Sequence, residues 1–86
     1  MKQHLILGVH VTDRVKEVPR IQAILTEYGC NIRTRLGLHD AGVDRCSPGG
    51  LIVLELVGEP ARCTQLGRKL AAVKGVEVKK MAFGKP

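Results

Sequence analysis

Aromatic side chains are almost missing from these 86 residues: there is one Tyr28, one Phe83 and no Trp. The core must therefore be aliphatic, filled by Val, Leu, Ile and Ala. Sheets that read RNA stack bases on aromatic residues of their two central strands, and residues 4–11 and 51–57, which read as the first and third strands, offer none. Long apolar runs are missing too, and none approaches the ~18–20 residues that span a bilayer. The start, Met1-Lys2-Gln3-His4-Leu5, has neither an apolar leader stretch nor a small-residue cleavage site. The expectation is a cytoplasmic protein with no membrane partner. Three cysteines, Cys30, Cys46 and Cys63, are odd in number, and no two form a Cys-x-x-Cys pair. That argues against a disulfide framework and against a local zinc or iron–sulfur clip.

Acidic residues are scarce beside basic ones, eight against 14, giving a formal net charge of +6. Anionic partners follow from that balance, but the charge is scattered rather than blocked. Its densest groupings are Arg33 with Arg35, Arg68 with Lys69, and Lys79 with Lys80. Nucleic acid is therefore not the expected partner. A basic nucleic-acid-binding or structural assembly protein stands as the alternative reading.

What is present is a globular composition, 44% hydrophobic and 26% charged. A single domain over residues 1–86 is expected. A chain this short buries only roughly 60–65% of the surface its unfolded form exposes, so a partner subunit should help it.

The pattern along the chain alternates strand and helix. Residues 4–11 are short, apolar and β-branched, which reads as a strand. Val15, Val18, Ile21, Ile24, Leu25 and Tyr28 then recur at helical spacing over 14–28, with Thr12 or Asp13 able to cap. Pro19 lies inside that run, so either its first turn is irregular or the regular helix begins near Val18. Gly29 reads as a left-handed stop. Residues 32–39 read as a second strand, 40–50 as turn chemistry, and 51–57 as a central third strand. Pro60 suits a first helical position, and Cys63, Leu66, Leu70 and Val73 form the second helical stripe, ended by Gly75. Residues 76–83 make the last strand.

The order β-α-β-β-α-β, with one apolar stripe per helix, puts both helices on the same sheet face. Right-handed crossovers then predict the ferredoxin-like α+β sandwich, an antiparallel four-stranded sheet in the order 4-1-3-2. Alternation assigns His4, Ile6, Gly8, His10, Arg33, Arg35, Gly37 and His39 to the helix-free face, with Val53 and Glu55 or their neighbours, and Met81 and Phe83. Such a half-apolar face predicts a homo-oligomer, a dimer or tetramer built through it or through edge strands.

Asp13-Arg14, leading through Ile21 and Leu25 to Gly29-Cys30-Asn31-Ile32, resembles the ACT domain, a small ligand-sensing module of metabolic regulators. The stretch Leu70–Val78 is similar to the closing part of that domain, so the resemblance covers nearly the whole chain. Arg35-Leu36-Gly37-Leu38-His39 and Cys46-Ser47-Pro48-x-Gly50 resemble small ACT-like regulators of the iron-only hydrogenase system. The architecture is also similar to the metal-sensing C-terminal domain of nickel-responsive repressors. The resemblance implies a pocket between the first loop and the start of the second strand of a neighbouring subunit. Thr12, Asp13, Arg14 and Asn31 fall there, and a helix start beside a charged pair suits an amino acid or other small anion. Arg14 is followed by Val15-Lys16, where ACT domains that bind amino acids carry a glycine.

His39 and Cys46 bracket the loop between the second and third strands and are the candidate ligands for a soft divalent metal. No obligatory cofactor is expected. Cys30 and Cys63 read as small buried hydrophobes. Arg33 and Arg35 are expected to pair with Glu55 or Glu77, or to stay solvated. No nucleophile, base and orienting group can be assembled from local spacing, so the chain reads as a non-enzymatic regulatory module.

Overall fold

Alternation decides the first strand. β1 (His4–Val11) buries Leu7, Val9 and Val11 and leaves His4 and His10 exposed. The computed structural model describes residues 4–12, 14–38 and 50–84, without the side chains of 14–17 and 38. β1 leads to α1 (Arg14–Glu27), a turn of 3₁₀ helix (Gly29–Asn31), β2 (Ile32–Leu38) and β3 (Gly50–Leu56). α2 (Pro60–Ala71) and β4 (Val76–Phe83) complete the order. Pro19 sits in the second turn of α1, where its missing N–H forfeits the bond to the Val15 carbonyl. The helix nonetheless runs from Arg14.

The four strands form one antiparallel sheet in the order β2-β3-β1-β4, which is the expected ferredoxin-like topology. Ile21, Leu25 and Tyr28 from the first helical stripe meet Cys63, Leu66, Leu70 and Val73 from the second. Leu7, Val9, Val11, Leu54 and Leu56 supply the floor of the same core. All of these are buried, and Tyr28 is the only aromatic among them.

Two local expectations need correction. Gly29 does not take the left-handed conformation; the chain turns through the 3₁₀ segment, and among the described residues the positive φ values belong to Gly58, Gly75 and Gly84. Cys30 is exposed, because in that short turn Asn31 points inward and Cys30 does not. Cys63 is buried on the inner face of α2, as expected, and its Sγ donates to the Val57 carbonyl at 3.6 Å. Burial pushes the Cys63 thiol above its ordinary pKa.

The folded state therefore favours the protonated Cys63 thiol. Its contribution to stability is complete below the unfolded thiol's ordinary pKa and is lost as pH rises through the higher folded value. In the Cys46→Ser variant, iodoacetamide near pH 8 is expected to label Cys30 and spare Cys63 until denaturant is added. Equal labelling rates for the two thiols, read by peptide mass mapping, would contradict this placement.

The faces of β2 also differ from simple alternation. Ile32 pairs with Leu56, but Thr34 pairs with Glu55, so Arg33 forms a bulge between them. One extra residue exchanges the two faces for the rest of the strand. Thr34 and Leu36 therefore share the helix-free face with Glu55 and Val53, while Arg35 and Gly37 register with Leu54 and Ile52 on the helix side. The helix-free face then carries Met81, Ile6, Glu55 and Thr34 in one row, and Lys79, Gly8, Val53 and Leu36 in the next. Leu36, Leu51, Met81 and Phe83 are each 37–54% exposed, which makes this face more apolar than alternation predicted.

Candidate functional site

Thr12 leaves the end of β1 and is tied at once to the far end of the chain. Both its N–H and its Oγ1 donate to the Gly75 carbonyl, each at 2.9 Å. Gly75 has φ +80°, and a Cβ there would lie 2.8 Å from Thr12 Oγ1. The loop that enters α1 is therefore clamped to the loop that enters β4. Asp13 lies outside the described residues, and Arg14 is the first residue of α1 with its side chain outside them.

Asn31 is buried before β2 and makes a second clamp. Its N–H donates to the Tyr28 carbonyl at 2.8 Å, and its own carbonyl accepts from Val57 N–H at 2.9 Å. Its Nδ2 donates to the Val57 carbonyl at 3.1 Å, the same oxygen that Cys63 Sγ reaches. Gly58 follows with φ +94°, and a Cβ there would sit 2.8 Å from Asn31 Nδ2. Reading the sequence missed Gly58 and Gly75 as partners of the candidate residues. The only signal for them was a glycine next to each helix end.

The register separates the candidates. Asn31 precedes Ile32, whose row runs through Leu56 to Leu5, whereas Thr12 follows Val11, paired with Gly50 and Val76. Those rows are six residue steps apart along β1, from Leu5 to Val11, about 20 Å at the rise of a strand. One chain cannot bring Thr12 and Asn31 to a common small ligand.

His39 and Cys46 lie outside the described residues. Among the described residues no group of three or more His, Cys, Asp or Glu side chains is gathered as a metal site would require. The acids expected beside Arg33 and Arg35 are engaged elsewhere. Glu55 accepts from Thr34 Oγ1 at 3.2 Å and lies 3.5 Å from His4 Nδ1. Glu77 lies 3.9 Å from Lys79. Both arginines are exposed, which is the solvated alternative. Among the described residues no helix is long and apolar enough to cross a membrane.

No protein-family model and no curated protein sequence matches the chain. Solved structures do match. The uncharacterized protein TM1266 from Thermotoga maritima is 25% identical with a TM-score of 0.80, over 96% of this chain and 100% of that one. The ACT domain from GTP pyrophosphokinase of Chlorobium tepidum is 22% identical with a TM-score of 0.67, over 93% of this chain and 100% of that one. CPII, a nitrogen regulatory PII-like protein from Thiomonas intermedia K12 bound to ADP, AMP and bicarbonate, is 15% identical with a TM-score of 0.56. That match spans 99% of this chain and 97% of the other. The chain has an ACT-like ferredoxin fold.

Proposed function

We propose that the protein is a non-enzymatic regulatory module that binds a small amino acid or anion between two copies of itself. The observation that carries this is the separation of Thr12 from Asn31 by the length of the sheet. β2 is an edge strand. Two such edges paired antiparallel about a two-fold axis set the start of one β2 beside the end of the other. That end shares its row with His10, two residues before Thr12. Asn31 of the partner subunit then comes to the loop that carries Thr12, Asp13 and Arg14. Asp13 and Arg14 supply the charged contacts in this reading, and the Thr12 and Asn31 clamps hold the two backbones that frame them. The exposed apolar face stacks dimers into a tetramer.

The sequence resemblance, rather than the geometry, suggests service to an iron-only hydrogenase system. Hydrogenase activity in a strain lacking the protein tests that link.

Light scattering is expected to give a multiple of the 9.4 kDa chain. A thermal-shift series of amino acids and small anions is expected to raise the melting temperature, because a ligand of the native state stabilises by mass action. The shift should vanish in Asp13→Ala with the assembly intact. A 9.4 kDa particle from micromolar to millimolar concentration would sink the shared-site reading. Tight, length-dependent oligonucleotide binding that falls steeply with salt would replace it with the nucleic-acid reading.

A further inference from the structure

We propose that a second ligand site, complete within one chain, lies between α2 and the β1–β4 side of the sheet and takes a short aliphatic carboxylate. The cavity there measures about 260 Å³. Of its lining residues Leu7 is buried and Leu5 and Val78 half-buried, which makes an apolar floor, while the exposed Arg68 and Lys80 stand at its mouth. At about 30 Å³ per water-sized unit the space holds roughly eight or nine heavy atoms, the size of hexanoate.

Charge complementarity chooses the headgroup. The lining includes two cations and no carboxylate, so an anion is attracted and the ammonium of an amino acid is repelled. Among the described residues neither Arg68 nor Lys80 has a carboxylate at ion-pair distance. The apolar floor in turn rejects a bare inorganic anion, which has no hydrocarbon to bury. This chemistry differs from that of the zwitterion pocket proposed between subunits, and the inference stands without that pocket.

Gly67 gives the cavity a second, independent mark. It lies in the interior of α2, where glycine is a poorer choice than alanine for helix stability. Packing does not demand it. A Cβ on Gly67 would meet nothing nearer than Leu7 Cδ1 at 3.9 Å, an ordinary contact. What the missing methyl leaves open is the wall of the cavity.

That asymmetry supplies the test. Gly67→Ala is expected to raise the melting temperature by about 2–8 °C while narrowing the cavity. Hexanoate titrated into the full chain should shift the methyl resonances of Leu5, Leu7 and Val78, with a Kd of about 1 mM or tighter. Gly67→Ala should weaken that binding at least about tenfold, and Gly67→Leu should abolish it. The double variant Arg68→Ala, Lys80→Ala should lose about tenfold for hexanoate and leave binding of neutral hexanol unchanged. The proposal is overturned by unchanged hexanoate affinity in Gly67→Ala, by hexanol binding as tightly as hexanoate, or by inorganic phosphate doing so. Absence of any shift at the three floor residues overturns it as well.

Discussion

Tyr28→Ala is expected to remove about 3–5 kcal/mol of folding stability, the range for deleting a buried aromatic ring. Tyr28 heads the fully buried side chains by volume and stands at the point where α1 ends against α2. The Arg62 guanidinium lies 4.3 Å from its ring centroid and Lys69 Nζ 5.4 Å away. A cation over an aromatic face adds about 0.5–1 kcal/mol at a partly exposed site. In an otherwise aliphatic core no neighbour is large enough to fill the vacated space. A domain of this length holds about 4–13 kcal/mol in all, so roughly a quarter or more of its stability rests on one ring. The melting temperature should fall by at least about 12 °C. Tyr28→Phe keeps the ring and gives up only the 3.4 Å hydrogen bond to Gln65 Oε1, so it should stay within about 1 kcal/mol of the parent. Urea denaturation of the pair measures both. If Tyr28→Ala proved as stable as Tyr28→Phe, the ring would not be what joins the helices.

The elements were legible because they are local. Apolar residues recur with period two in β1 and at helical spacing in α1 and α2, and the core takes Ile21, Leu25, Cys63, Leu66, Leu70 and Val73 as those stripes require. Topology followed from their order and from handedness. What escaped was non-local. The bulge at Arg33 depends on how β2 meets β3, and nothing in Ile32-Arg33-Thr34 announces it. Its consequence reaches the whole strand, moving Leu36 onto the helix-free face and the Arg35 side away from it. The candidate site was legible only as residue types. Thr12 and Asn31 could be named from the sequence, but their hold on Gly75 and Val57 spans 63 and 26 residues. Under the proposed shared site, Asp13 and Arg14 would gain their meaning only from a second copy of the chain, which no single sequence displays. Gly67 shows the same limit. Its cost to the helix is readable in one dimension, but the space it opens over Leu7 is not.

Gly58 carries the other large expected effect, with Gly29 as its control. Both glycines flank Asn31 in space or sequence, and a reader of the sequence would give the left-handed role to Gly29. The backbone gives it to Gly58, at φ +94°. An L-residue in that conformation costs about 1–2 kcal/mol from its Cβ alone. Here the Cβ also arrives 2.8 Å from Asn31 Nδ2, on a short side chain with little room to yield. Pushing that amide aside breaks its bond to the Val57 carbonyl and leaves a buried donor unmade, worth about 1–3 kcal/mol. Gly58→Ala should therefore lose about 2–5 kcal/mol together. Gly29→Ala meets no atom within 4 Å and needs no positive φ, so it should be neutral or gain up to about 1 kcal/mol. Asn31→Ala in the Gly58→Ala background separates the two causes. With the amide already gone, the added Cβ should cost only its backbone share, so the two losses should fall short of additive by about 1 kcal/mol or more. Strict additivity in chemical denaturation would show that Gly58 and Asn31 act apart, and the clamp at the start of β2 would have to be assigned to the backbone bonds alone.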